Sequence, residues 1–349
     1  MGDQVLFLLT VSIITASLLV IVEVFYRTRN KMTSAHKVDT SSSLPASDDV
    51  GVASSSLAVC YLCLDGGADE ADEPLRRDCA CRGTDAGFVH LACLAKYAAS
   101  KSELADKMSL DMNELTKPWR LCPSCHQTYQ NKLAIDIATK FVSFVRRQYP
   151  DDTPKQVGAL SLQLYALMNM FPHRLTPVQK REAGVTANVL LSLIDRMKVD
   201  VSSLPRRYSQ IEAYAYNTHG CIALDEGSEE SARRAVVHFG NELQVNEAIG
   251  DDEGIATTKG NIAIAKFIYE GGNNNEELLK TSQELYELRV AKHGEDDEYT
   301  IIAGKDYAVD LQKVDRGDEA RELLTKLLAT SKQILGPDHN ITKEVEAAL

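Results

Sequence analysis

The stretch CACRGTDAGFVHLAC, from Cys79 to Cys93, carries three cysteines and a histidine in fifteen residues. It belongs to a denser pattern. Cys60, Cys63, Cys79, Cys81, Cys93, Cys122 and Cys125 fall within 66 residues, and Cys221 alone stands apart. A disulfide framework favours an even set of cysteines in a short secreted chain. Here the cluster is odd and includes an imidazole, which points to metal ligation.

The ligands come in pairs. CYLC supplies Cys60 and Cys63, CAC supplies Cys79 and Cys81, HLAC supplies His90 and Cys93, and CPSC supplies Cys122 and Cys125. Closely spaced pairs recur in zinc sites because a short turn brings two donors to one ion, and eight donors satisfy two tetrahedral ions. With four protein ligands per ion, no position remains for water or substrate, so zinc-activated hydrolysis is not expected. The expected cofactor is two structural Zn2+ ions.

Four cysteines, one histidine and three cysteines, with a single residue inside the second pair, resemble the RING-CH (RING-variant) domain of membrane-associated ubiquitin ligases. CRGT after the second pair, FVH around the histidine and CL after the sixth ligand look like the same family, over about Ala58 to Tyr129. A PHD finger shares the ligand order but has a longer gap in the second pair. The resemblance implies a cross-brace: Cys60, Cys63, His90 and Cys93 on one ion, and Cys79, Cys81, Cys122 and Cys125 on the other. It also implies an apolar surface that docks a ubiquitin-conjugating enzyme, at positions matched here by Leu62, Tyr97 and Pro123. Catalysis would then be by positioning a charged thioester, with no catalytic nucleophile in the chain. Three features depart from the family pattern. Tyr97 stands where Trp is more frequent, His126 stands where many RING ligases carry a basic residue, and the approaches to His90 and Cys122 run slightly long.

The amino terminus adds a second expectation. Val5 to Val22, VLFLLTVSIITASLLVIV, is eighteen residues without a charge, just long enough to span a bilayer core as a helix. Asp3 precedes it, and Arg27, Arg29 and Lys31 follow it. That pattern favours a retained anchor with its carboxyl side in the cytosol over a cleaved signal peptide. Asn30 to about Ser56 is rich in Ser, Thr and Ala without hydrophobic period and reads as a flexible tether. The net charge of −12 and the lack of a basic run with interleaved aromatics exclude nucleic acid as an expected partner.

Past Tyr129 the pattern is helical. Leu133 to Arg147 carries an apolar stripe of Ile135, Ala138, Phe141, Val142, Phe144 and Val145, and two more helices are predicted over Gln156 to Met170 and Pro177 to Met197. After Arg206 the segments THGCIALDEG, TKGNIAIAKFIYEG and GKDYAVDLQKVDRGD align, placing Ala223, Ala263 and Ala308 at 40- and 45-residue intervals. HGEDDEYT and LGPDHNIT place Gly294 and Gly336 42 residues apart. Two helices per repeat of this length mark an α-solenoid, and the turns resemble tetratricopeptide repeats of the kinesin light chain kind. Asn217, Asn261 and Asp306 lie on the first helices, facing either solvent or a groove. Trp119 is expected to pack the zinc core, and Cys221 to be a buried small residue.

The expected fold is therefore mostly α, with a single transmembrane helix, a small two-zinc cross-brace module and a TPR-like α-solenoid. The expected divisions are an anchor at 1–29, a linker at 30–56, a zinc domain at 57–130, a helical region at 131–205 and repeats at 206–349. No phosphate loop, nucleophile elbow, catalytic carboxylate pair or HExxH is present. The leading expectation is a membrane-anchored, single-pass RING-CH-type ubiquitin ligase with its domains in the cytosol. Its partners would be a ubiquitin-conjugating enzyme, ubiquitin, and a protein substrate held by the repeats. The alternative is a non-catalytic zinc-finger and TPR adaptor; a chromatin-type zinc reader is disfavoured by the Cys79–Cys81 gap and the apolar amino terminus.

Overall fold

The structure, a computed structural model, describes residues 58–67, 73–79, 81, 87–169, 175–200, 204–271, 275–337 and 339–349. These fall into two compact units, 58–166 and 167–349. The first holds α1 (Leu91–Lys107), α2 (Met112–Thr116), a 3-10 turn (Lys117–Trp119), α3 (Asn131–Gln148) and most of α4 (Thr153–Met168). The second holds α5 (Pro177–Asp200), α6 (Arg206–Asp225), α7 (Glu229–Ile249), α8 (Asp252–Tyr269), α9 (Asn275–His293), α10 (Glu298–Lys313), α11 (Gly317–Ile334) and α12 (Asn340–Ala348).

Trp119 organises the core of the first unit. The Asp111 carboxylate accepts the Glu114 amide at 3.0 Å and starts α2, which leads the chain through the 3-10 turn to the indole. The ring stacks on Phe141 at 5.0 Å between centroids and leans on Phe144 at 5.3 Å, both on α3. Its Nε1 donates to Ser102 Oγ on α1 at 2.8 Å, and that hydroxyl donates to the Leu115 carbonyl at 2.7 Å. A fully buried indole with a satisfied N–H thus joins α1, α2 and α3. The α3 stripe read from the sequence is buried as expected, and Trp119 packs on that stripe in the core of the unit that carries the paired cysteines.

In the second unit each helix packs on its neighbours in sequence, from α5 to α12, with α12 also touching α10. The repeated glycines explain the repeated turns. Gly294 ends α9 with φ +85° and Gly336 follows α11 with φ +92°, a left-handed conformation that favours glycine. Asp297 then caps α10 by accepting the amides of Tyr299 and Thr300 at 2.9 and 3.2 Å. Ala223, Ala263 and Ala308 are all buried where first helices meet their neighbours. Gly220 permits the closest approach. A Cβ there would meet the Phe239 ring at 2.4 Å, so the glycine is what lets α7 lie against α6.

Asn217 and Asn261 are buried rather than facing solvent or a groove, while Asp306 is half-buried beside Lys305. Asn217 donates to Glu242 at 3.0 Å and accepts from the buried Cys221 thiol at 3.4 Å. Burial pushes the Glu242 carboxyl up to about 8 against the opposing hydrogen bonds from Asn217 and Thr258.

The transmembrane expectation is corrected. Among the described residues no helix is long and apolar enough to cross a membrane. Even the 24-residue α5 carries Lys180, Arg181, Glu182, Asp195, Arg196 and Lys198, and charges at that density are incompatible with a hydrocarbon environment. The expected anchor at 1–29 and linker at 30–56 lie outside the described residues, as do residues 68–72 and the RGT that follows Cys81. Single-pass membrane attachment and the orientation derived from it are accordingly dropped.

Two predictions follow from this packing. Gly220→Ala should destabilise the chain by about 1–3 kcal/mol through overpacking, whereas Gly260→Ala, on α8 where an added Cβ would meet nothing within 4 Å, should stabilise it by about 0.5–1 kcal/mol. Thermal denaturation of both variants gives the opposite signs directly. For Glu242 the folded pKa lies above the unfolded value of 4.5, so its protonated form favours the fold. Its contribution is full below about pH 4.5 and fades as pH rises through about 8. Glu242→Gln should flatten that decline, and denaturation curves across the window measure it.

Candidate metal centres

Two short turns build the outer halves of the two centres, and they are near copies. In the first, the Leu64 amide donates to the Cys60 carbonyl at 2.8 Å and the Cys60 amide donates to the Asp65 carbonyl at 2.9 Å. In the second, the His126 amide donates to the Cys122 carbonyl at 2.9 Å and the Cys122 amide donates to the Gln127 carbonyl at 2.9 Å. Leu64 and His126, each directly after the second cysteine of its pair, take φ +66° and +58°. A left-handed residue costs a non-glycine side chain about 1 kcal/mol; the turn demands it so that both sulfurs of a pair face one point.

The inner halves come from other elements. An antiparallel bridge between Arg76 and Val89, with hydrogen bonds of 2.8 and 2.9 Å, fixes the segment leading to His90. His90 is the N-cap residue of α1, in extended backbone, and Cys93 lies in that helix's first turn. This explains the HLAC spacing: a cap residue and the third helical residue point to the same side. A second bridge, Leu121 with Thr128, closes the Cys122 turn. The Cys79 segment is tied to the start of α3 through Asp78, whose carbonyl accepts the Gln130 amide at 2.8 Å and whose carboxylate accepts the Leu133 amide at 3.3 Å.

These elements gather the predicted ligands into two groups, Cys60 with Cys63, His90 and Cys93, and Cys79 with Cys81, Cys122 and Cys125. Within each group the donor atoms all lie within 4.8 Å of one another. Metal bonds of 2.3 Å to sulfur and 2.0–2.1 Å to nitrogen set tetrahedral edges of about 3.6–3.8 Å. The structure gives 3.4 Å from Cys63 Sγ to His90 Nδ1, 3.8 Å from Cys93 Sγ to the same nitrogen, and 3.6 Å from Cys81 Sγ to Cys122 Sγ. All eight cysteines are free thiols, and 3.6 Å is far beyond the roughly 2.05 Å of a disulfide. His90 Nε2 lies 2.7 Å from the Gly67 carbonyl. A proton on Nε2 donates there and leaves the Nδ1 lone pair for the metal, an outer partner typical of ligating histidines. The donor sets fit two zinc ions, bound by three sulfurs and one nitrogen, and by four sulfurs.

The electrostatics agree with the chemistry of the donors. Burial raises the Cys60 thiol, but backbone amides, those of His90, Cys63 and Leu62, outweigh it and bring it to about 7. Cys122 is likewise lowered, burial being overcome by the amides of Cys125 and Ser124. Cys93 is pushed up to about 12 by burial and then by Cys63 and Cys60, and Cys81 is pushed well up by burial and by Cys79, Cys122 and Cys125. Without a cation, thiolates this close repel one another. A divalent ion reverses that order and releases the protons.

Two contributors were missed in the sequence reading. Gly87 has φ +82°, and a Cβ on it would meet Cys81 Cβ at 2.9 Å and Cys79 Sγ at 3.0 Å. It lies inside the quoted CACRGTDAGFVHLAC stretch, where two glycines, Gly83 and Gly87, between Cys81 and His90 were the available signal. Asp78, next to Cys79, had no signal of its own, because its partners on α3 are more than fifty residues away in the chain.

Zinc supplies folding free energy on the order of 10 kcal/mol per structural ion, so ligand loss should be local and severe. Cys122→Ser should lower the zinc content of the purified chain below two ions and unfold the zinc unit, while α6–α12 keep their helical signal. Gly87→Ala should act in the same direction through crowding of Cys79 and Cys81. Metal analysis combined with circular dichroism tests both; retention of two ions by either variant contradicts the geometry above.

Residues 60–108 match the RING-variant domain. The match ends before Cys122 and Cys125, which the fold nonetheless brings beside Cys79 and Cys81. No family match names the helical repeats, and no curated protein matches the chain.

Proposed function

We propose that the chain is a RING-type ubiquitin ligase whose zinc unit docks a charged ubiquitin-conjugating enzyme and whose helical array holds the protein to be modified. The observation that carries this reading is the pair of closed, four-donor centres, six of whose eight donors lie inside a RING-variant match. Sites without an open coordination position organise a surface rather than activate water. The docking surface we assign to Leu62, Tyr97 and Pro123. Leu62 and Pro123 occupy corresponding turns, one in each centre, and all three side chains are half-buried, leaving part of each accessible. Tyr97 lies on α1 one turn after Cys93, with Lys101 Nζ 5.7 Å from its ring centroid. The stacked helices, with small residues at the crossings, resemble tetratricopeptide repeats, and recruitment of a polypeptide is the role such an array suits.

A second reading, a non-catalytic adaptor, rests on one observation. The exposed His126 occupies the position at which many RING ligases carry a basic residue that locks the charged complex.

Autoubiquitination of the zinc-loaded chain with a panel of conjugating enzymes distinguishes the two. The ligase reading expects ubiquitin chains with at least one enzyme, and a loss of about tenfold or more in Leu62→Ala, Pro123→Ala with both zinc ions retained. No transfer with any enzyme of the panel favours the adaptor.

A further inference from the structure

A cleft of about 300 Å³ opens between α5, α6 and α7. Its volume lies at the lower end of ligand-binding clefts, and its lining is mixed rather than apolar. The Glu212 carboxylate lies in it with only 7 % of its side chain exposed, and its cation partner is Lys198 Nζ at 2.6 Å. The two members of this pair differ in how firmly they are held. Glu212 is fixed on the buried side of α6, whereas Lys198 comes from near the end of α5 on a flexible stem that is 44 % exposed. The same ammonium lies 3.5 Å from Asp195, so one cation is shared between two carboxylates. Tyr216, Asn241 and Gln244 add a hydroxyl and two amides, and Val245 and Ile249 add an aliphatic wall.

We propose that this cleft binds a cationic side chain, arginine or lysine, of a partner polypeptide, with the Glu212 carboxylate as its counter-ion and Lys198 as the intramolecular cation it displaces. A buried carboxylate requires a positive partner, and the one present is the more solvated of the pair. Carbonyl and hydroxyl acceptors around the carboxylate suit a group with several N–H donors, as a guanidinium has. The aliphatic wall suits its methylene stem. An anionic ligand is disfavoured, because it would have to face two carboxylates through one ammonium. The wider field acts in the same direction. Residues 206–349 hold 16 Lys and Arg against 28 Asp and Glu, which equals the entire −12 of the chain. The array therefore attracts basic segments before any contact forms.

The proposal takes its meaning from the recruiting role given to the array above. Its test contains neither ubiquitin nor conjugating enzyme, so either reading can fail without the other. A short fluorescent peptide with one arginine between apolar residues is titrated with the full zinc-loaded chain, and anisotropy reports binding. We expect the citrulline peptide, neutral but of the same shape, to bind at least tenfold more weakly. Glu212→Gln should weaken the arginine peptide by a similar factor, and Lys198→Met, which removes the competing cation, should tighten it several-fold. Glu284→Gln, the same charge change at an exposed position on α9, should leave binding within twofold. Circular dichroism confirms that each variant is folded; should Glu212→Gln fail to fold, the citrulline comparison and Lys198→Met carry the test alone. Equal binding of the arginine and citrulline peptides overturns the proposal. So does wild-type affinity in a folded Glu212→Gln, an equal loss in Glu284→Gln, weaker binding in a folded Lys198→Met, or tighter binding of a peptide with glutamate in place of arginine.

Discussion

The zinc unit depends on four short segments meeting at two points. Each pair of donors is locally cheap to form, since a turn or a helix start brings two side chains to one side. The costly step is closure between pairs, because Cys60 and His90, or Cys79 and Cys122, must be brought together across long stretches of chain. Loop-closure entropy and thiolate repulsion both oppose that step. Only a multivalent cation at the meeting points offsets them together, which is why ligand geometry and folding are inseparable here.

Everything near the centres follows from that requirement. Leu64 and His126 accept left-handed backbone because the turns must aim two sulfurs inward. Gly87 is a glycine because two cysteines occupy the space a side chain would take. His90 is held at its outer nitrogen by the Gly67 carbonyl, which fixes the ring for the metal. The remaining side chains of the turns, Leu62 and Pro123 among them, are left partly exposed around donor sets that leave a tetrahedral ion no open position. A rigid surface of this kind is suited to holding another protein, and the ligase reading uses it so.

Much of this was legible in the sequence because the decisive contacts are short-range in the chain or chemically unambiguous. Paired cysteines report their own turns, and the structure groups them as the family resemblance implied. The α3 stripe and the glycine-punctuated turns around Gly294 and Gly336 were readable because periodicity and positive φ leave local marks. What was not legible is long-range. Trp119 is buried in the core of the zinc unit, but its stacking partners Phe141 and Phe144 could not be named, since the sequence does not say which face an indole meets. Asn217 was expected near solvent or a groove, yet it serves a buried carboxyl on the next helix. Neither the Asp78 link to α3 nor the Lys198–Glu212 pair can be read from spacing alone. The apolar amino-terminal run led to a membrane anchor, and no helix among the described residues supports one.

The central claim is that eight side chains form two separate and chemically different metal centres, one with three sulfurs and a nitrogen, the other with four sulfurs. Substituting cadmium for zinc and recording the 113Cd NMR spectrum of the intact chain tests it most directly. The account predicts two resonances of equal intensity, the one from the four-sulfur centre lying further downfield and only the other coupled to a histidine ring. A single resonance, or two that both show the imidazole, would contradict it.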